Sequence, residues 1–168
     1  MRRVYLHWTA GDYRTVFPAY HFCVALDEAC EPIVCATHDL RANALDLSAA
    51  GDLPYAAHVA GRNSYACGLA VAAMAGATPH DFGAFPLRDD LLEALCRVAA
   101  IVAAHYAIPI EPGFVATHAE AALEDGYFGA GDDERWDIAR LAPDPHPLRA
   151  EEATLIGDLL RARIRRAS

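Results

Sequence analysis

Gly68-Leu69-Ala70-Val71-Ala72-Ala73-Met74 is an unbroken apolar run in the middle of the chain. A strand that other elements cover on both faces has no polar face, so such a run is typical of the centre of a sheet. The sequence therefore predicts a central strand over residues 68–74, and we expect the other strands and the helices to be built around it.

Further strands are predicted on both sides of this run. Phe22, Val24 and Leu26 alternate with a period of two, which is typical of a strand with one buried face. A turn and a second short strand follow, so this part of the chain is predicted to be a hairpin. The predicted strands outside the central run are residues 4–8, 21–27, 32–36 and 114–117.

Two helices are predicted in the second half of the chain. Apolar residues recur at intervals of three and four over residues 87–106, and Pro109 and Pro112 end that pattern. A second amphipathic pattern covers residues 149–166. Its apolar side carries Leu155, Ile156, Leu159, Leu160 and Ile164. Because strands and helices alternate, we expect an α/β fold, with a single domain and a mixed central β-sheet flanked by helices.

The composition fits a globular chain and excludes several classes of protein. With 54% hydrophobic and 22% charged residues over 168 positions, the chain can bury the core of one domain and is not of the disordered type. Its net charge of −9 argues against nucleic acid as a partner. No apolar run reaches the roughly 18 residues of a membrane span. Residues 1–4 are not followed by the apolar segment of a secretory signal peptide, so synthesis in the cytoplasm is expected.

Three residues form a candidate metal site. His7 lies at the end of the predicted strand 4–8, and His118 directly follows the predicted strand 114–117. Asp137 comes later in the chain. Two imidazoles and one carboxylate are a three-ligand set for zinc that leaves the fourth position open for water, as in hydrolases. Because both histidines follow strands, we expect them to converge at the ends of those strands.

Six short motifs carry a resemblance to a known family. In order along the chain they are H-W-T-A-G from His7, Y-H-F from Tyr20, H-V-A-G-R-N-S from His58, C-G-L-A-V from Cys67, T-H-A-E from Thr117 and R-W-D-I from Arg135. In this order they resemble the zinc-dependent N-acetylmuramoyl-L-alanine amidases, the family of small phage endolysins, bacterial wall amidases and peptidoglycan recognition proteins. The resemblance runs from about Val4 to Leu141.

The resemblance implies one Zn²⁺ per chain, bound by His7, His118 and Asp137. Members of the family complete the ligand set with a cysteine or an aspartate shortly after the second histidine, and Asp137 stands in the matching R-W-D-I motif. Carboxylate chemistry alone does not separate it from the aspartates of the intervening loop, which are Asp125, Asp132 and Asp133.

The resemblance also implies two catalytic residues. Tyr20 matches the tyrosine that similar phage amidases place beside the metal-bound water; the alternative is a tyrosine packed at a strand start. Arg135 stands where many relatives carry a catalytic lysine, and a cation there would stabilise the oxyanion of a tetrahedral intermediate. Arginine cannot give up a proton, and a solvated surface arginine is the alternative. Ala70 stands where some recycling amidases carry a glutamate as general base, so the site resembles the tyrosine-using phage type.

Other residues are expected to support the site. Substrate contacts are expected from His58, Asn63 and Thr117 on the basis of the resemblance. Glu120 is expected either to hold a ligand imidazole through a hydrogen bond or to be the N-terminal carboxylate of a helix. The remaining histidines are expected to pack, at His21, or to lie at the surface, at His38, His80, His105 and His146.

Together these motifs predict a peptidoglycan hydrolase that cleaves the amide between N-acetylmuramic acid and L-alanine. Residues 1–148 would form the zinc amidase domain. Residues 149–168 would form a basic amphipathic helix, either packed on the same domain or in contact with anionic membrane or lipopolysaccharide. We expect a monomeric phage or prophage endolysin that acts on the cell wall or periplasm after release. The alternatives are a bacterial wall-remodelling or effector amidase and a non-catalytic peptidoglycan-binding module.

Overall fold

The computed structural model describes residues 1–49, 51–52, 54–129 and 135–168, and in these ranges it contains one five-stranded sheet. The strands are β1 (Arg3–Trp8), β2 (Phe22–Leu26), β3 (Pro32–Ala36), β4 (Ala66–Val71) and β5 (Val115–Thr117). The helices are α1 (Asp89–Tyr106), α2 (His118–Asp125) and α3 (Ala150–Arg166), with two short 3₁₀ helices at Leu40–Asn43 and Leu47–Ala49.

The strands lie in the order β3-β2-β4-β1-β5, so the apolar run around Leu69 is the middle strand, β4. β4 pairs in parallel with β1 and β2, and β1 also pairs in parallel with β5. β2 and β3 are antiparallel and form the predicted hairpin, in which the backbone N–H of Asp27 donates to the carbonyl oxygen of Glu31 over 3.0 Å. The predicted α/β fold with a mixed central sheet is therefore confirmed.

The two faces of the sheet are packed differently. On one face, Leu69 of β4 lies in the main apolar core together with Leu95 of α1. On the other face β4 presents small residues, among them Gly68 and Ala70. A Cβ atom on Gly68 would lie 2.4 Å from Cγ of His58, so only glycine leaves space for that imidazole. The face with small residues is therefore the one that makes room for the imidazole of His58.

The central strand is shifted from its prediction. It covers Ala66–Val71 rather than residues 68–74, and Met74 adopts a left-handed conformation with φ 72°. Residues 72–74 leave the strand but stay buried. The long apolar run therefore reflects burial of the chain beyond the strand as well as within it.

α1 begins at Asp89, slightly later than predicted, and ends at Tyr106 as predicted. The backbone of Arg88 is extended, with ψ 139°, so the helix starts after it. Asp89 and Asp90 then occupy the first turn, where carboxylates interact favourably with the helix dipole. The left-handed conformation of Ala107, with φ 53°, ends the helix.

The sequence analysis raised α2 only as an alternative for Glu120 and predicted no bounds for it. It begins immediately after β5, and Thr117 is its N-cap. The Thr117 hydroxyl accepts a hydrogen bond from the N–H of Glu120 over 3.1 Å, and the Glu120 carboxylate accepts one from the N–H of Thr117 over 2.9 Å. Eight residues are too few to show a clear helical period, but the Thr-x-x-Glu pattern of a capping box marks the first turn.

α3 packs against α1 and against the segment formed by β5 and α2. It buries Ala153, Leu160 and Ile164, whereas Leu155 and Leu159 are 66% and 38% exposed. Only part of the apolar stripe predicted from the sequence is therefore buried. The small residues Ala153 and Gly157 of α3 are buried as well. In the part of the chain that the structure describes, no helix is long and apolar enough to cross a membrane.

Candidate metal centre

The three predicted metal ligands lie together in the structure. β1 and β5 are parallel neighbours, so His7 near the end of β1 and His118 directly after β5 reach the same end of the sheet. Asp137 joins them from the loop before α3. One potential ligand atom from each of the three residues lies within 4.8 Å of the other two. The predicted convergence of these residues is confirmed, and together they can hold a metal ion.

The distances in this cluster fit tetrahedral metal coordination. Nδ1 of His7 and Nδ1 of His118 each lie 3.2 Å from Oδ2 of Asp137. Metal–ligand bonds of about 2.0–2.1 Å in a tetrahedral arrangement would separate the ligand atoms by roughly 3.3 Å. The Nδ1 atoms and Oδ2 are therefore the atoms that would bind the ion.

The outer nitrogens of both imidazoles also have partners. Nε2 of His7 lies 3.3 Å from Nδ1 of His58, and Nε2 of His118 lies 3.3 Å from the hydroxyl of Tyr127. Partners at the outer nitrogen fix the tautomer and the ring orientation of a metal-binding histidine. When an ion is bound, the proton of each imidazole would lie on Nε2, which leaves Nδ1 to bind the ion.

Sequence reasoning missed Tyr127. This residue follows the left-handed Gly126 that ends α2, and its backbone N–H donates to the carbonyl oxygen of Ala122 over 2.9 Å. Since no bounds were predicted for α2, nothing in the sequence analysis placed a residue nine positions after His118 beside that imidazole.

Burial and hydrogen bonding set the protonation states of His7 and Asp137. Burial lowers the pKa of His7 to about 4, although the hydrogen bond with Asp137 acts in the opposite direction. For Asp137 burial alone would raise the pKa, but the hydrogen bonds with His118 and His7 outweigh it and hold that pKa far below its usual range. At neutral pH, His7 is therefore a neutral imidazole and Asp137 a carboxylate, which are the forms that bind metals.

The loop that carries Asp137 is fixed on both sides. The backbone N–H of Ala119 in α2 donates to the carbonyl oxygen of Asp137 over 3.2 Å. Trp136 packs edge-to-face on Trp8, with ring centroids 4.5 Å apart. Ile138 is fully buried and has φ 58°, a conformation that is strained for a β-branched residue. Strain of this kind persists only where the surroundings hold the backbone in place.

The alternative ligands are placed elsewhere or lie outside the described residues. Both carboxylate oxygens of Asp125 accept hydrogen bonds of 2.6 Å from the guanidinium of Arg62, so this aspartate forms an ion pair away from the cluster. Asp132 and Asp133 belong to the range 130–134, which lies outside the described residues. Among the described aspartates, Asp137 is the one that joins the two histidines.

A cleft of about 460 Å³ opens beside the cluster. Its lining includes Tyr20 and Arg135, which were predicted to be catalytic. The buried His58 and the candidate metal ligands His118 and Asp137 also line it. A surface cleft of about 500 Å³ between α1 and α3 is lined by charged residues such as Asp89 and Arg163, and it shares no lining residue with the first cleft. The cleft at the metal cluster is therefore the one with candidate chemistry.

Tyr20 and Arg135 both line the cleft beside the cluster. The ring of Tyr20 lies 5.0 Å from that of His7, centroid to centroid, and its hydroxyl donates to the carbonyl oxygen of Trp8 over 3.2 Å. Burial raises the pKa of Tyr20, and the charge of Asp137 raises it further. Tyr20 therefore keeps its proton at neutral pH. Arg135 is exposed at the cleft.

Three further residues of the predicted site make contacts within the protein, while substrate binding by Asn63 and Thr117 stays a prediction. Oδ1 of Asn63 accepts hydrogen bonds of 3.0 Å from the backbone N–H groups of His58 and Val59, which fixes the loop that carries His58. Thr117 is fully buried as the cap of α2. Glu120 contacts the backbone of Thr117 rather than a ligand imidazole, so the alternative of a helix N-terminal carboxylate is the one observed.

Comparisons of the chain with protein-family models, with curated proteins and with solved structures gave no match. The geometry of the cluster and its cleft, together with the sequence motifs, therefore carries the functional interpretation. The cluster can hold a metal ion, and two of its three residues line the cleft.

Proposed function

We propose that this protein is a zinc-dependent N-acetylmuramoyl-L-alanine amidase. It hydrolyses the amide bond between the lactyl group of N-acetylmuramic acid and L-alanine in peptidoglycan. The observation that carries the proposal is the convergence of His7, His118 and Asp137 beside an open cleft, with Nδ1–Oδ2 distances of 3.2 Å. These residues come from three of the motifs on which the family resemblance rests, and they are far apart in the sequence.

The donor atoms favour zinc as the metal. Two imidazole nitrogens and one carboxylate oxygen form a ligand set typical of hydrolytic zinc sites with an open fourth position. Imidazole suits zinc and other late transition metals, whereas magnesium and calcium prefer oxygen ligands alone. When bound, zinc supplies a Lewis acid that polarises the scissile carbonyl and lowers the pKa of a water molecule to about 7.

Arg135 acts on the negative charge that develops on the carbonyl oxygen. A guanidinium is permanently charged and can donate hydrogen bonds from the cleft wall to that oxygen. Because arginine does not give up a proton, it does not protonate the leaving amine of L-alanine. That proton has to come from another group in the cleft.

Tyr20 is the group that can orient the attacking water or donate a proton, because its phenol is protonated at neutral pH. Burial keeps its phenol protonated, and its hydroxyl is held by the carbonyl oxygen of Trp8. Ala70 is the register partner of His7 on the neighbouring strand, so this strand position carries no carboxylate base beside the cluster. The arrangement accords with an amidase in which a tyrosine orients the attacking water.

The substrate places the action of the protein at the bacterial cell wall. We favour a phage or prophage endolysin that is monomeric and reaches the wall after release from the cytoplasm. A bacterial remodelling or effector amidase would perform the same chemistry in another setting. Neighbouring genes separate these settings, since a holin gene accompanies an endolysin and an immunity gene accompanies an effector.

Digestion of purified sacculi tests the reaction. Mass spectrometry should detect free stem peptides that begin with an unsubstituted L-alanine, with no new reducing sugar ends. The wild-type protein should contain about one zinc per chain. His118→Ala should lose both the zinc and the release of peptides, whereas His80→Ala, which changes an exposed histidine, should retain both.

Three results would count against the proposal. Cut glycan strands that still carry their stems would identify a glycosidase. Undiminished turnover by His118→Ala would exclude the metal mechanism. Tight binding to sacculi without any release of peptide would identify a peptidoglycan-binding module instead of an enzyme.

A further inference from the structure

Arg161 of α3 is a fully buried cation. It is 1% exposed, and its guanidinium donates to both carboxylate oxygens of Glu120, over 2.8 and 3.0 Å. The same guanidinium donates to the carbonyl oxygen of Val115 over 2.9 Å and to the carboxylate of Asp158 over 2.8 Å. Four hydrogen bonds to three different residues hold this side chain in one position.

Two of these partners flank the metal ligand His118. Val115 belongs to β5, which ends immediately before His118, and Glu120 lies in the first turn of α2, which begins with it. The Glu120 carboxylate also accepts the N–H of Thr117, so it joins the helix cap to Arg161. The backbone on each side of His118 is therefore tied to one guanidinium.

The backbone of α3 is shaped to fit the same carboxylate. Gly157 lies one turn before Arg161, and a Cβ atom at this position would lie 2.2 Å from the carboxylate carbon of Glu120. α3 lies close to the Glu120 carboxylate at Gly157 and binds that carboxylate through Arg161. This fit is specific to Glu120, because a displaced carboxylate would lose the bidentate pair or collide with the helix.

We propose that Arg161 is a positioning residue for the metal centre: through Glu120 it fixes the first turn of α2 and so the imidazole of His118. The inference rests on the metal site of the proposed function. Metal-binding imidazoles need accurate placement, and contacts beyond the ligands themselves typically change metal affinity by about 10- to 100-fold. α3 then supports the metal centre. The division between residues 1–148 and 149–168 that the sequence analysis expected is therefore not a functional boundary.

The test compares Zn²⁺ affinity, measured by competition with a chromophoric chelator, in the wild type and in α3 variants. Arg161→Met removes the charge and keeps much of the volume. Arg163→Met is the matched control, because it removes an arginine from the same helix and breaks only a surface ion pair with Asp89. We expect Arg161→Met to weaken Zn²⁺ binding about 10- to 100-fold and Arg163→Met to leave it unchanged.

A second measurement separates positioning from general stability. Co²⁺ substitutes for Zn²⁺ as a coloured probe, and its visible absorption depends on ligand geometry. A positioning role alters the Co²⁺ spectrum of the folded Arg161→Met protein. A merely structural role lowers the melting temperature of the metal-free protein but leaves the spectrum and the Zn²⁺ affinity at their wild-type values, and that result would overturn the proposal.

Two further variants keep the test decisive if Arg161→Met does not fold. Arg161→Lys retains the charge but cannot form the bidentate pair, so its Zn²⁺ affinity should fall between those of the wild type and the methionine variant. The double variant Arg161→Met/Glu120→Gln avoids an unpaired buried carboxylate and should still bind Zn²⁺ weakly. Wild-type affinity in either variant contradicts the inference. A wild-type protein that binds no Zn²⁺ would instead contradict the proposed function itself, and the inference with it.

Discussion

Nε2 of His7 lies 3.3 Å from Nδ1 of His58, on the side of the His7 ring that points away from the Asp137 carboxylate. His58 was predicted to contact substrate, and it lines the cleft. Its contact with Nε2 also holds the candidate metal ligand His7 in position. We expect His58→Ala to weaken Zn²⁺ binding about 10- to 100-fold, because His7 loses the acceptor that fixes its tautomer. Chelator competition measures this change.

A matched variant tests whether the hydrogen-bond acceptor is what matters. His58→Gln can still place an oxygen near Nε2 of His7, so it should bind Zn²⁺ more tightly than His58→Ala. Equal affinity in the wild type and in His58→Ala would show that His7 keeps its orientation without this partner.

Arg135→Ala should lower turnover on sacculi about 10²- to 10³-fold, because it removes a donor to the developing oxyanion. The Zn²⁺ content should not change, since Arg135 is not among the clustered ligand atoms. Arg135→Lys should recover much of the activity, because a lysine ammonium can also donate to an oxyanion. Unaltered turnover in the alanine variant would assign Arg135 to the solvated surface.

The buried imidazole of His21 should make the free energy of unfolding depend on pH. Burial, followed by the charge of His38, lowers its pKa to about 4 from an ordinary value of 6.5, and its Nδ1 accepts a hydrogen bond from the N–H of Gly68 over 3.0 Å. Between these two pH values the unfolded chain binds a proton at this residue more readily than the folded protein does. The stability that neutral His21 contributes is therefore complete above pH 6.5 and is lost as the pH falls towards 4.

The size of this effect follows from the difference in pKa, and it should be on the order of 3 kcal/mol. Urea unfolding of the metal-free protein at pH 7 and pH 4 gives the free energy of unfolding at each. His21→Gln should reduce the difference between the two values by about that amount, on the order of 3 kcal/mol. His80→Gln should leave it unchanged, since His80 is exposed. An identical pH dependence in the wild type and in His21→Gln would show that His21 does not carry the effect.

Truncation after Ala150 should abolish folding. α3 buries Leu160 and Ile164 completely, and the loss of each such side chain costs about 2–5 kcal/mol. Two losses of this size approach the whole stability of a typical domain. Circular dichroism should therefore show no cooperative melting, and a truncated chain with the wild-type melting temperature would contradict the packing of α3.

The arginines near the end of α3 allow a separate test of membrane contact. Replacing Arg163, Arg165 and Arg166 by glutamine leaves the buried Arg161 in place, so the melting temperature should change little. We expect equal binding to anionic vesicles at low salt before and after this replacement, because α3 uses its buried side to dock on the body. Weaker binding by the variant would support the electrostatic contact with anionic lipid.

The sequence was sufficient for the features that local patterns encode. The apolar run around Leu69 identified the middle strand because burial on both faces removes every polar residue from it. His7 and His118 could be paired because His7 lies near the end of its strand and His118 directly follows another, and parallel neighbouring strands end at the same edge of a sheet. Asp137 followed from its motif and not from its spacing.

The remaining features depend on packing between distant segments. Tyr127 contacts His118, and Arg161 contacts Glu120, because of the way α2 and α3 pack on the rest of the domain. No local sequence pattern indicates either contact. Thr117 carries a local signature that the sequence analysis did not use. Its motif suggested a substrate contact, whereas the capping pattern in the same four residues indicated its actual position as a buried N-cap.

The place of β1 in the sheet has a consequence for the order in which the protein is made. Of the five strands in the sheet, β1 is synthesised before the other four, yet it lies between β4 and β5, pairing Arg3 with Ala66 and Val4 with Val115. A nascent chain on the ribosome therefore carries His7 without its co-ligands until Asp137 has emerged. The three residues can therefore share a metal ion only after the chain has been synthesised through Asp137 and β1 has taken its place between β4 and β5.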